Sequence, residues 1–142
     1  MNWVYKGIEF TDEDIPEGAI GFVYLMSSII KGKSVAYIGK KNFYANTKKK
    51  LGKKAAPKDK RKKTYIRVSK LAYHDYYSSN DLFKTAHKQG VLIKREILKI
   101  CYSKTELTYQ EVKHQFLFGV LESDLYANAN ILGRFYKQKM YE

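Results

Sequence analysis

Ala19-Ile20-Gly21-Phe22-Val23-Tyr24-Leu25-Met26 and, after a Lys31-Gly32-Lys33 break, Val35-Ala36-Tyr37-Ile38-Gly39 form the stretch on which the reading of this chain turns. The first run is dense in apolar and aromatic residues and reads as a central strand; the second reads as the strand returning beside it. Twelve residues separate Tyr24 from Tyr37, enough for a hairpin that sets two phenols next to each other. Gly39 either ends the second strand or lets another backbone approach closely. A basic segment follows at once, so the phenols are expected beside a surface that attracts phosphate.

That basic segment runs from Lys40 to Lys63, with Asp59 as its only acid and Gly52 and Pro57 as interruptions. Like charges this dense read as a solvated loop that grips a nucleic-acid backbone by counterion release. The expected DNA contacts are Lys40, Lys41, Lys48, Lys49, Lys50, Lys53, Lys54, Arg61, Lys62 and Lys63. Upstream, residues 1–18 read as a short strand or arm and an acidic turn. Downstream, Ser69 to Tyr77 reads as a helical turn or irregular segment. Asn80 caps a short helix over Asp81 to Gln89, stopped by Gly90. Val91 to Cys101 reads as a third strand. Ser103-Lys104-Thr105-Glu106 has capping-box spacing and opens the longest helix, to about Glu122, with Leu107, Val112, Phe116, Leu117 and Val120 near one face. The expected fold is a small α/β (α+β) domain over residues 1–142, with a three-stranded antiparallel sheet flanked by helices and a basic loop at about 40–63.

Composition narrows the function. The 142 residues are 44% hydrophobic, enough to build a core. Lys+Arg number 27 against 14 Asp+Glu, a net charge of +13 that points to a polyanionic partner. Thirteen tyrosines can stack on bases or bond to phosphates. No apolar run reaches the roughly 18 residues of a membrane span, and Met1-Asn2-Trp3-Val4-Tyr5-Lys6 lacks the apolar core of a signal peptide. One cysteine, Cys101, excludes an internal disulfide and a multi-cysteine zinc site, and it reads as a buried strand residue. A cytoplasmic setting is expected; a monomer and a dimer are both open. Phosphate-loop and His-Glu-x-x-His signatures are absent.

Several side chains offer chemistry. A strand tyrosine taken alone reads as core, but Tyr24 and Tyr37 lie on adjacent strands that lead into cations. A phenol is a poor base near pH 7 unless cations assist it. Glu111, mid-helix, is either a solvated surface group or the carboxylate for a hard divalent ion, Mg2+ or Mn2+. His74 and His87 are candidate proton carriers, and Arg67 and Arg95 candidate phosphate clamps, with Arg95 better suited to the sheet. Ser78 and Ser79 bond phosphate or cap the short helix.

Phe22-Val23-Tyr24, Tyr37-Ile38-Gly39-Lys40-Lys41, Gln89-Gly90 before Ile93-Lys94-Arg95-Glu96-Ile97-Leu98, Glu111 and Asn128 follow one another in the order of GIY-YIG nuclease domains. The stretch from about Gly21 to Ile131 resembles this family, in particular its phage-encoded, homing-endonuclease-like members. The resemblance implies a metal-dependent endonuclease cutting DNA. It casts Tyr24 as general base or water activator, Tyr37 as the group orienting water or phosphate, Glu111 as metal ligand, and Asn128 or Asn130 as the supporting amide. Two departures stand out. Phe22 and Val23 replace glycine and isoleucine. The arginine that the family places about ten residues after the second tyrosine is missing, leaving Lys48 or Arg67 to contact the scissile phosphate. A catalytically silent DNA-binding or partner-binding protein is the alternative that this loss raises.

Overall fold

The computed structural model describes residues 2–50 and 65–137. Nine strands and two α-helices are formed among them: β1 (Trp3–Tyr5), β2 (Ile8–Glu9), β3 (Gly21–Ile30), β4 (Lys33–Asn42), β5 (Tyr44–Lys50), β6 (Tyr65–Leu71), α1 (Asp81–Lys88), β7 (Lys94–Cys101), α2 (Lys104–Leu117), β8 (Asn130–Ile131) and β9 (Phe135–Tyr136). The main sheet has the order β2-β1-β7-β3-β4, so it has five strands where three were expected. The additional strands come from the N-terminal arm. Trp3 pairs with Arg95 and Tyr5 with Ile97 in parallel register, and Val4 turns back on Glu9. A strand this short gives little periodicity to read; what fixes it is the burial of Trp3, whose ring meets Phe22 edge-on at 4.8 Å and Tyr24 at 5.8 Å.

The β3–β4 hairpin forms as its sequence dictates. Lys31 and Gly32 both have positive φ, 51° and 76°, which suits the tight two-residue turn between right-twisted strands. The ladder pairs Tyr24 with Gly39 and Met26 with Tyr37, so the two phenols are diagonal neighbours on one face. β3 is buried on both sides, and this explains its unbroken apolar run. On one face Phe22, Tyr24 and Met26 pack with Phe43, Tyr73, Phe83 and Ile93; on the other Val23 and Ile38 meet Cys101, Leu107, Val120 and Ile131 beneath α2. Each side chain fully buried in this way contributes roughly 1.5–3 kcal/mol.

Several expectations need correction. The segment from Lys40 is not a loop at its start: Lys40–Asn42 completes β4, and 44–50 is β5, paired antiparallel with β6 as a separate ribbon. Pairing against Tyr65–Leu71 supplies the partner for which the charge run gave no signal. For the same reason Ser69 to Leu71 is strand and not irregular. The third strand begins at Lys94, not Val91.

The longest helix stops at Leu117, short of Glu122, because Gly119 takes a positive φ of 60° and turns the chain back. Its expected apolar face holds in part: Leu107 and Val120 are buried and Val112 packs against the same cluster. Phe116 and Leu117 are exposed, whereas Leu107 and Gln115 are buried, so the stripe against the sheet runs Leu107-Glu111-Gln115 at four-residue spacing. The capping box is present in altered form: Ser103 Oγ accepts from Glu106 N–H at 3.1 Å, and the Glu106 carboxylate reaches Tyr102 N–H. The short helix is capped by Asn80, whose side chain accepts from Leu82 N–H. No helix among the described residues is long and apolar enough to cross a membrane.

Candidate active site

The site grows from the side chain of Tyr24. The register between β3 and β7 shifts at Val23/Tyr24, a bulge of the kind that re-aims a strand side chain. The Tyr24 ring lies across the backbone of Gly39, so closely that a Cβ there would be 2.5 Å from its hydroxyl oxygen and 3.0 Å from the Tyr37 ring. Glycine at position 39 is therefore what allows the two phenols to converge. Their ring centroids are 6.3 Å apart.

A third phenol joins them. Tyr76, from the irregular segment after β6, has its Oη 3.2 Å from that of Tyr24. Tyr24 also donates to Ser78 Oγ at 3.3 Å, and Ser79 bonds to Tyr37. Ser78 is buried with φ 79°, a left-handed conformation that a serine adopts only when its surroundings hold it there. What holds this segment is Arg95. Its guanidinium donates to the carbonyls of His74 and Tyr76 at 2.7 and 2.9 Å and lies over the rings of Trp3 and Tyr77. Trp3 Nε1 adds a bond to the Tyr73 carbonyl.

Glu111 closes the cluster from the α2 side. Its carboxylate accepts the Lys40 backbone N–H and is close enough to Tyr37 to act on its charge. Behind it, Asn128 and Gln115 secure the edge of β4 between the two key positions. Asn128 accepts from Ile38 N–H at 3.1 Å and donates to its carbonyl at 2.8 Å, and Gln115 donates to the same carbonyl. Asn130 instead accepts from Gly133 N–H in the β8–β9 turn.

Burial sets the proton affinities. Tyr24, 1% exposed, has its pKa raised well above that of a free phenol, mainly because its charged form would be desolvated. Tyr37 is raised for the same first reason, with Ser79 opposing. Desolvation likewise lifts Glu111 above the ordinary carboxylate range, against the opposing pull of Lys40. A group whose pKa is higher folded than unfolded stabilises the fold most at low pH and loses that contribution as pH rises through the folded value. Ionised Glu111 therefore works against the fold near neutrality. Glu111→Gln is expected to raise Tm at about pH 7 and to raise it less at about pH 4. Equal shifts at both pH values in thermal denaturation would refute this.

Cations border the tyrosines. A cleft of about 400 Å³ is lined by Lys40, Lys41, Asn42, Tyr76, Lys104, Leu107 and Thr108. Lys41 Nζ sits 4.8 Å from the Tyr76 ring centre, and Lys40 Nζ donates to Thr108 Oγ1 at 2.9 Å. Among the expected site residues, the structure thus gathers Tyr24, Tyr37, Glu111, Asn128, Lys40 and Lys41. His74 lies elsewhere, paired with Asp12 at 2.6 Å and stacked on Tyr73. His87 stacks on Tyr77. Lys48, Lys49 and Lys50 are in β5 and Arg67 in β6, with Lys48 opposite Arg67. Lys53, Lys54, Arg61, Lys62 and Lys63 lie outside the described residues. Tyr76 and Lys104 had not been singled out. The only sequence signal for Tyr76 is the aromatic density of Tyr73-His74-Asp75-Tyr76-Tyr77 ahead of two serines.

Comparison with known proteins agrees with this geometry. Searches of curated proteins and of solved structures each found no match. The family described as "Putative endonuclease segE, GIY-YIG domain" matches residues 3–136, which takes in β1 at one end and β9 at the other. The chain belongs to the GIY-YIG endonuclease family.

Proposed function

We propose that the protein is a metal-dependent endonuclease that hydrolyses DNA phosphodiester bonds, acting as a single nuclease unit. The observation that carries this reading is the convergence of Tyr24, Tyr37 and Tyr76 with the Glu111 carboxylate beside a lysine-lined cleft. Among the described residues no three metal-ligating side chains cluster, and Glu111 is the carboxylate that reaches the tyrosines. That chemistry fits Mg2+ or Mn2+, hard ions that keep several waters and take one or two carboxylates. Glu111 would hold the ion, which supplies charge neutralisation at the phosphoryl group and a more acidic water.

The remaining work falls to the chain. Lys40 N–H orients the Glu111 carboxylate, and Asn128 and Gln115 keep β4 from shifting beneath it. Tyr24, too buried to ionise, donates to Ser78 and holds Tyr76 through the contact between their hydroxyls. This replaces the general-base role that the family resemblance suggested for it. Tyr37, beside Glu111 and less buried, orients the attacking water through its hydroxyl. Lys41 and Lys104, with Tyr76, receive the phosphate that the missing arginine would otherwise contact.

Purified protein is expected to nick or linearise plasmid DNA with Mg2+ and to stop when EDTA removes the ion. Intact plasmid, duplex and single-stranded DNA under all metal conditions would overturn the reading. Binding should weaken steeply with salt, and neutralising Lys41 or Lys104 should each reduce the log–log salt slope by about 1. A slope unchanged in both variants would remove these lysines from the interface.

A further inference from the structure

The lysine-lined cleft does not end at Lys104. Asn42 and Lys104 also line a second cleft of about 680 Å³, which continues away from the tyrosines to the root of the β5–β6 ribbon. Its chemistry differs. Ile15, Pro16 and Tyr44 give it flat apolar walls, while Asn46 and Ser69 stand at its far side. Among the described residues that line it Lys104 is the one cation, and Glu17 accompanies it, a poor setting for a second phosphate. The volume leaves room for a planar group together with part of the sugar that carries it.

We infer that this cleft is a subsite for one unstacked nucleobase of the substrate strand, flanking the scissile phosphate. The assignment rests on the nuclease reading above. A strand whose phosphate sits at Lys41 and Lys104 must run either toward the ribbon or away from it, and toward the ribbon it meets this cleft. The apolar walls can take a base face that has lost its stacking partners, as aromatic platforms do in single-strand binding. The cleft also offers an edge-reading group. Ser69 Oγ donates to Asn46 Oδ1 at 2.6 Å, which engages the amide oxygen and leaves the Asn46 nitrogen to donate. The cleft therefore favours a base that presents acceptors on its edge, and it gives the nuclease unit a source of sequence preference next to its chemistry.

The test uses Glu111→Gln protein, so that binding is read without cleavage, and a set of duplexes with 2-aminopurine moved one position at a time. A fluorescence rise at a single position, lost in both Tyr44→Ala and Ser69→Phe (the second filling the cleft), is the expected result. Affinity should fall about tenfold in each. Binding with no position-specific rise, or with both variants indistinguishable from the parent, would overturn the subsite and leave contacts to the backbone alone. The two readings separate cleanly. Cleavage by wild type without the fluorescence signal removes the subsite only. The signal without cleavage retains the subsite and removes the nuclease. Failure to bind any duplex would overturn both.

Discussion

Replacing Glu111 with alanine is expected to lower Mg2+-dependent plasmid cleavage by about 10³-fold or more while duplex binding persists. The magnitude follows from the chemistry assigned to one group. If the carboxylate holds the ion that neutralises the phosphoryl oxygens, its loss removes about 4 kcal/mol of transition-state stabilisation, or roughly three decades of rate. Binding should survive because the lysines of the cleft are untouched and the site becomes less negative. Glu122→Ala, an exposed carboxylate beyond the end of α2, provides the control and should cut normally. Measuring cleavage and gel-shift affinity on the same preparations separates three outcomes. Loss of cleavage with retained binding supports the assignment. Full activity in the variant would remove Glu111 from the mechanism. Binding by wild type without cleavage would favour the silent DNA-binding alternative, and the lost arginine would be the first suspect.

Gly39→Ala should be the second severe variant, for a steric reason. The added methyl would lie 2.5 Å from the Tyr24 hydroxyl and 2.7 Å from the ring carbon that bears it. Neither ring can retreat cheaply, since Tyr24 is boxed in by Trp3, Phe22 and Tyr76, and Tyr37 packs on Phe83. Overpacking of this kind costs about 1–3 kcal/mol of stability. The catalytic loss should be larger, about 10²-fold, because a displacement near 1 Å carries the phenols out of register with Glu111. Chemical denaturation and cleavage rates measured together check both. A variant of wild-type stability and rate would show that the Tyr24 ring is free to move aside.

The candidate site was legible where chemistry and periodicity coincide. Tyr24 and Tyr37 declared themselves because a hairpin must bring them together, and Glu111 because it is mid-helix. Tyr76 did not, since no regular element carries it; Arg95 and Trp3 place it through bonds to backbone carbonyls. The inner face of α2 was read only in part for a related reason: beside Leu107 and Val112 it carries the polar Glu111 and Gln115, where a hydrophobic stripe would be sought. The five-stranded sheet was hidden because its outer strands, β1 and β2, span only three and two residues. The start of the basic segment shows the reverse effect, charge disguising a strand whose partner lies beyond the densest lysines.

The place of β7 has a consequence for how the molecule comes into being. It lies between β1 and β3, both of which leave the ribosome long before it does. Until β7 inserts, each of those strands keeps an unpaired edge, and edges are where chains stick to one another. Pairing at such sequence separation is slow. Tyr24 and Tyr37 precede β7 in the chain while Glu111 and Asn128 follow it, so a nascent or truncated chain holds half a site on an open sheet. Assembly of the sheet and assembly of the candidate site are thus one event, and an incomplete chain lacks the carboxylate that the proposed cleavage needs.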